Sequence, residues 1–275
     1  MKGEMETATS VAQPENRAMV CGAEPEDACL NCGVERVGRF CPACGQRYVD
    51  EPMTLRSLLR AFSSRVFDLD QGLLYTIRRL AIDPGGVSRE YVKGRQKPYV
   101  HPLALLVVAS AGIMGIVGIT ESTTRSILMQ VGADALFRDN EAVLTWMYGM
   151  LEAYVTLLFI ASAIPIAYAF YRAFRRIATY TFTETLVMVL YATAQATLYT
   201  AVCQFVVLLY PTLAGLLFAQ ASSLLLFPVL AHASYGFYRR EKHDVLIGLF
   251  ASLVAYVVPV AVVGAIAFAV GTMMP

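Results

Sequence analysis

The chain has 275 residues, of which 57% are hydrophobic and only 16% charged, with a mean hydropathy of +0.54 and a net charge of +1. Ordinary soluble domains carry about a quarter charged residues, so a purely soluble globular protein is excluded. The charge is also segregated: 14 of the 22 Lys and Arg fall in residues 1–101, and the remainder sit in short patches between long apolar runs. The expected fold class is an all-α polytopic membrane protein with about five transmembrane helices, preceded by a small N-terminal zinc ribbon and amphipathic juxtamembrane helices.

Residues 1–28 are rich in Glu, Ala, Thr and Pro without periodicity and read as a disordered tail. Their first 20 residues hold no continuous apolar core, so the N-terminus is expected to stay on the side where the chain is made. Cys21 has no CxxC partner and reads as a free thiol. The strongest chemical signal follows, in residues 29–47. Cys29-Leu-Asn-Cys32-Gly33 and Cys41-Pro-Ala-Cys44-Gly45 are two CxxC pairs separated by eight residues. Four thiolates at this spacing suit the tetrahedral preference of zinc. The glycine after each pair permits the tight backbone turn that points amides at sulfur. A disulfide pair and a redox CxxC are the rival explanations, and neither fits two glycine-followed pairs in a reducing compartment. Four protein ligands leave no open position, so the zinc is expected to be structural and to supply most of the module's folding free energy.

In residues 52–101, Leu55, Leu58, Leu59, Phe62 and Val66 fall at helical spacing, with Arg56, Arg60 and Arg65 off that face. Leu73, Leu74, Ile77 and Leu80 start a second amphipathic run, which Pro84-Gly85 is expected to end. Two short helices lying on the bilayer or against the bundle are anticipated. Asp68 and Asp70 invite calcium, but the twelfth loop position is Arg79 and carries no carboxylate. Arg89, Lys93, Arg95 and Lys97 then run into the uncharged segment at Pro102. Such a basic boundary reads as contact with membrane lipid headgroups or as a solvated juxtamembrane face, rather than as a nucleic-acid site, and no nucleic-acid partner is expected.

The order CLNCG, FCPACGQ, DLDQGLLYTIRRL and DPGGVSREYVKGRQKPYVHPL resembles a bacterial family called domain of unknown function 3667, a zinc ribbon followed by membrane helices. The resemblance is dense over residues 29–104. Further on, Tyr180 to Gln195 resembles that family's helix, with Glu184, Tyr191 and Gln195 matching and Thr185 where the family usually has His. Gly94-Arg95-Gln96 stands where the family usually has Gly-Lys-Arg. The resemblance implies an architecture and a bacterial cytoplasmic (inner) membrane, and no reaction.

Residues 102–275 divide into apolar segments near 102–120, 149–171, 185–210, 212–238 and 245–271, each near the roughly 20 residues a membrane crossing needs. Basic clusters before the first, after the second and after the fourth place those boundaries on one side. A cytoplasmic N-terminus and an outside C-terminus follow. Gly112, Gly115 and Gly118, with Ala192, Ala194 and Ala196, read as close helix packing. Pro165 and Pro228 are expected to kink their helices. Intramembrane polar groups are costly and draw attention to function. Glu184, Tyr191 and Gln195 share one face of the third segment, and His232 and Tyr235 one face of the fourth. A Glu184–His232 pair open to the cytosol is the sharpest candidate site, against separate interhelical hydrogen bonds. His101 and His243 read as polar tips at membrane boundaries. No GxSxG, phosphate-binding glycine loop or HExxH is present. The expected function is a membrane-anchored scaffold or regulator whose zinc ribbon binds a protein partner. The alternatives are a transporter of a small molecule or lipid, or an enzyme on a lipid-linked substrate, using Glu184 and His232.

Overall fold

The computed structural model describes residues 28–48, 53–65, 72–130, 141–175 and 179–238, together with Phe250 and Leu253. Nine α-helices are described: α1 (Leu55–Arg65), α2 (Leu73–Ile82), α3 (Pro84–Val92), α4 (Pro102–Gln130), α5 (Glu141–Phe174), α6 (Phe182–Gln204), α7 (Val206–Leu209), α8 (Leu213–Ala221) and α9 (Leu226–Tyr238). A 3₁₀ turn, Ser222–Leu225, joins the last two. Among the described residues there is no strand, only two isolated antiparallel bridges in the cysteine module. The expected N-terminal tail, Cys21, the Asp68/Asp70 turn, the basic patch at 239–242, His243 and nearly all of the fifth apolar segment lie outside the described residues.

Three helical stretches among these residues are long and apolar enough to cross a membrane: Pro102–Thr120, Phe182–Leu209 and Leu213–Tyr238. Within α5, Phe159–Phe174 is a shorter apolar stretch, and the helix continues through Pro165. The first segment extends past its expected end, since α4 runs on to Gln130. The fourth segment is not one helix. Pro228 has no N–H to bond back to Leu224, and its ring crowds that carbonyl. The chain answers with the 3₁₀ turn in which Leu224 lies, before α9 resumes.

Packing centres on α6. From Thr183 to Thr197 every residue except Glu184 is buried, enclosed by α3, α4, α5 and α9. The main core joins Leu105, Leu106 and Ala109 of α4, Ile166 and Phe170 of α5, Val187 to Tyr191 of α6 and Leu230 and Phe237 of α9. Two levels fix the direction of α4 along α6. At one, the Tyr191 hydroxyl donates to the Val100 carbonyl just before α4. At the other, Ile127 near the end of α4 clusters with Val207 of α7. The two helices therefore run parallel.

Pro84-Gly85 does not end the amphipathic region, as expected from sequence, but opens α3. Asp83 closes α2 through its backbone N–H to Arg79 and caps α3 by accepting from the Gly86 amide at 2.7 Å. Pro84 then occupies the first helical position, where its missing N–H costs nothing. Gly85 faces the backbone of α9, and an added Cβ would fall 2.5 Å from the Gly236 carbonyl carbon. Arg89, one turn on, donates to the Gly236 carbonyl at 2.6 Å. The close helix packing expected of Gly112, Gly115 and Gly118 is not found there. A Cβ on any of them would meet nothing within 4 Å among the described residues. The tight glycine crossing belongs to Gly85 and Gly236 instead.

Candidate metal centre and the polar anchors beside it

Cys29, Cys32, Cys41 and Cys44 bring their sulfurs within 4.8 Å of one another. Cys29 and Cys44 are 3.6 Å apart, and Cys32 and Cys41 are 3.4 Å apart. Tetrahedral Zn–S bonds of about 2.3 Å require sulfurs about 3.8 Å apart, so the quartet fits such an ion. The geometry comes from two copies of one local design. Gly33 N–H donates to the Cys29 carbonyl and Cys29 N–H to the Val34 carbonyl; Gly45 to Cys41 and Cys41 to Gln46 repeat the pair, all at 2.8 Å. Gly33 and Gly45 adopt φ of 76° and 70°, in the left-handed region that a side chain disfavours. The bridges Ala28–Glu35 and Phe40–Arg47 close each loop.

The electrostatics of the metal-free cluster split the thiols. Burial opposes ionisation of Cys41, but amides of Cys44 and Ala43, the Cys32 thiol and the Tyr48 hydroxyl outweigh it and bring the thiol down to about 6. The Val34 amide favours the Cys32 thiolate, yet desolvation and the neighbouring sulfurs together push that thiol up to about 12. The Asn31 side chain leads the groups that lower Cys44. Tyr48 is pushed up to about 12, by burial first and then by Cys41, and the Arg36 guanidinium lies 4.3 Å from its ring centroid. Sulfurs this close favour a shared cation over four separate charges.

Gln46 fastens the module to the rest of the chain. Only 2% exposed, it donates through Nε2 to the Gly94 carbonyl and accepts the Lys97 amide on Oε1 at 2.8 Å. A neighbouring hub is Glu90, which receives Arg95 at 3.0 Å, the Tyr99 hydroxyl at 2.7 Å and Arg79 at 3.6 Å. Burial and then the Glu90 carboxylate raise Tyr99 well above the usual phenol range. Of the four basic residues expected at lipid headgroups, Arg89 is bonded to Gly236 and Arg95 to Glu90, whereas Lys93 and Lys97 are exposed. Replacing Gln46 with Leu should leave the cysteine quartet intact but free the module from the 94–97 turn. The expected cost is about 1–3 kcal/mol, read as faster hydrogen exchange at Lys97.

The polar face of α6 does structural work against the approach to α4. Tyr191 bonds the Val100 carbonyl at 2.7 Å, while Thr76 of α2 accepts the Val100 amide at 3.0 Å. Both main-chain polar groups of Val100 are thus held by side chains. Gln195 donates to the Leu80 carbonyl at the end of α2 at 3.0 Å and lies 2.8 Å from the Tyr199 hydroxyl. Tyr191→Phe removes the Val100 partner in a buried site, and a loss of about 1–3 kcal/mol in unfolding free energy is expected in detergent.

Glu184 is engaged elsewhere. Its carboxylate accepts the Thr181 amide at 2.7 Å while Thr181 Oγ1 accepts the Glu184 amide at 3.3 Å, a capping box at the start of α6. His232 and Tyr235 lie on the exposed side of α9, away from the Ala233 and Gly236 backbone that meets Gly85. Among the described residues no hydrogen bond or ion pair joins Glu184 to His232. His101, expected to face headgroups, is instead buried. Its Nδ1 accepts the Leu103 amide at 3.3 Å, which leaves Nε2 to donate to the Leu58 carbonyl of α1 at 3.0 Å. Sequence reasoning missed this anchor because a histidine before Pro102 reads equally well as a boundary residue.

The elements these anchors collect are also the ones the family comparison picks out. The family model described as protein of unknown function (DUF3667) matches residues 70–112, which is α2, α3, the turn after it and the start of α4. No curated protein and no solved structure matches the chain. Residues 70–112 therefore carry the signature of the family of proteins of unknown function DUF3667 that the sequence motifs resemble.

Proposed function

We propose that this chain is a membrane-anchored scaffold or regulator. In this reading Cys29, Cys32, Cys41 and Cys44 hold a structural zinc ion, and the ribbon so formed binds a protein partner on the cytosolic side of a bacterial inner membrane. The carrying observation is the cysteine quartet docked through Gln46 beside the start of α4, with Leu30, Val34, Val37 and Phe40 turned outward. A zinc fold that spent its apolar side chains on its own core would not present four of them to solvent. Four thiolates saturate a tetrahedral ion and leave no site for substrate, which favours a binding role over catalysis there.

The transporter and lipid-enzyme readings would rest on Glu184 and His232. Glu184 is committed to capping α6, and His232 lies on the exposed side of α9, so the binding role is the better supported. Native mass spectrometry of the tagged chain, released gently from its own membrane, tests the proposal. One zinc per chain and a stoichiometric protein partner are expected. Val37→Asp and Phe40→Asp should lose the partner and keep the zinc. A chain that carries a retained lipid or small molecule and no protein would refute the scaffold reading.

A further inference from the structure

Helix α2 has two apolar faces. One, with Thr76 and Leu80, is buried in the fold. The other carries Leu74, Tyr75, Arg78, Ala81 and Ile82, all exposed, with Leu74 at 81% and Ile82 at 61%. Helix α1, tied to His101 at the approach to α4, likewise exposes Leu55 and Leu59, with Arg56 between them in sequence. Two water-facing helices would not both set their largest aliphatic side chains outward.

The hydrogen bonds give this face a depth. Thr76 of α2 is tied to Val100, two residues before the membrane-length stretch that starts at Pro102. Leu58 of α1 is tied to His101. Farther along, the Leu80 carbonyl is tied to Gln195, four residues beyond the Tyr191 that holds Val100. Because α4 and α6 run parallel, those four residues carry the end of α2 about 6 Å past the level of Val100, in the direction in which α4 enters its span. The two helices thus lie at the mouth of the bundle, and α2 tilts inward from it.

We propose that the outer face of α2, with the exposed face of α1 at the same level, is a membrane-surface site seated at the boundary between the acyl chains and anionic headgroups of the chain's own bilayer. Leu74, Ile82, Leu55 and Leu59 enter the acyl boundary. Arg78 and Arg56 stand one residue from, or within a turn of, those aliphatic groups, where a guanidinium reaches back to lipid phosphates while its stem stays in the apolar layer. An apolar face edged with arginine at this depth has the composition of interfacial helices. This site is independent of the partner surface on the cysteine module.

Trp146 is the single tryptophan, so Trp146→Phe leaves a silent background for one indole at a time, placed by Leu74→Trp, Ile82→Trp or, on the cysteine module, Val37→Trp. The full chain is reconstituted in vesicles of phosphatidylcholine and phosphatidylglycerol with acyl chains brominated near the headgroup. Emission from positions 74 and 82 is expected to be lost relative to unbrominated vesicles, and emission from position 37 to be unchanged. Arg78→Glu should restore part of the emission at position 74 in phosphatidylglycerol vesicles and not in pure phosphatidylcholine. Full emission at both 74 and 82 overturns the site, because protein or water then covers the face. Quenching at all three positions overturns it too, since no defined depth would remain. Either position reports alone if the other variant fails to fold.

Discussion

On the proposed zinc assignment, replacing Cys41 with Ser is expected to abolish metal binding and unfold residues 28–48. Cys41 is 2% exposed, and the amides of Cys44 and Ala43 converge on its sulfur. A serine hydroxyl stays protonated near neutral pH and replaces a thiolate with a weak ligand. The module has little apolar core of its own, because Leu30, Val34, Val37 and Phe40 point outward. A structural zinc contributes an apparent 10–16 kcal/mol, about the whole folding free energy of so small a unit. Metal content per chain and hydrogen exchange at the Cys29 and Cys41 amides are the readouts. Retained metal with slow exchange would refute a four-thiolate centre.

The same centre has a pH signature. In the metal-free fold Cys41 sits near 6, below the ordinary thiol value of 9.0, so its contribution is fully present above 9.0 and is lost as pH falls through about 6. Cys32, raised to about 12, contributes below 9.0 and loses that contribution as pH rises through about 12. At neutral pH the Cys32–Cys41 pair therefore retains a shared proton. Loading zinc must expel at least that shared proton, and zinc affinity should fall as pH falls. Calorimetry in two buffers of different ionisation enthalpy would count the protons released; a count of zero contradicts the assignment.

Substituting Gly85 is expected to have the second large effect. The atoms nearest an added Cβ are the Phe237 nitrogen, the Ala233 oxygen and the Gly236 carbonyl carbon, all backbone, so no side chain can swing aside. Helix α3 must move off α9, which also stretches the Arg89 bond to Gly236. Overpacking of this kind costs about 1–3 kcal/mol for a single methyl and more for a larger side chain. Gly85→Ala should lower the thermal midpoint in detergent, and Gly85→Val should lower it further and speed exchange in α3. Gly112→Ala is the matched comparison. Its Cβ meets open space, so the substitution should be neutral or stabilise by about 0.5–1 kcal/mol through helix propensity. Equal behaviour of the two alanine variants would disprove the crossing.

Local chemistry was legible in the sequence, and long-range contact was not. The CxxCG repeat named its own geometry, because four thiols and two glycines leave few other uses. Tyr191 and Gln195 stood out as costly polar groups on one face of α6, and the structure gives each a buried backbone carbonyl to bond. Glu184 carried a local signal that was passed over. Thr181-x-x-Glu184 is a capping-box pattern, and it accounts for the carboxylate without a partner on α9. Pro84-Gly85-Gly86 was ambiguous in principle, since proline both stops a helix and starts one. The deciding fact was Asp83 as an N-cap, together with a face of α9 small enough to receive Gly85. That face lies some 150 residues on (Gly236 with Arg89, 147 apart) and no local pattern announces it.

The anchoring of the 72–101 segment also sets the order in which the chain can be completed. The Leu80 carbonyl waits for Gln195, 115 residues later, the Val100 carbonyl for Tyr191, 91 later, and Gly236 meets Arg89 only after 147 residues have been added. Synthesis runs from the N-terminus, and contacts this far apart in sequence form late. For most of its translation the chain must therefore hold α2 and α3 without the helices that clasp them. An amphipathic α2 seated on the membrane surface, as proposed above, has somewhere to wait during that interval, and the emergence of α9 supplies the last of these three contacts.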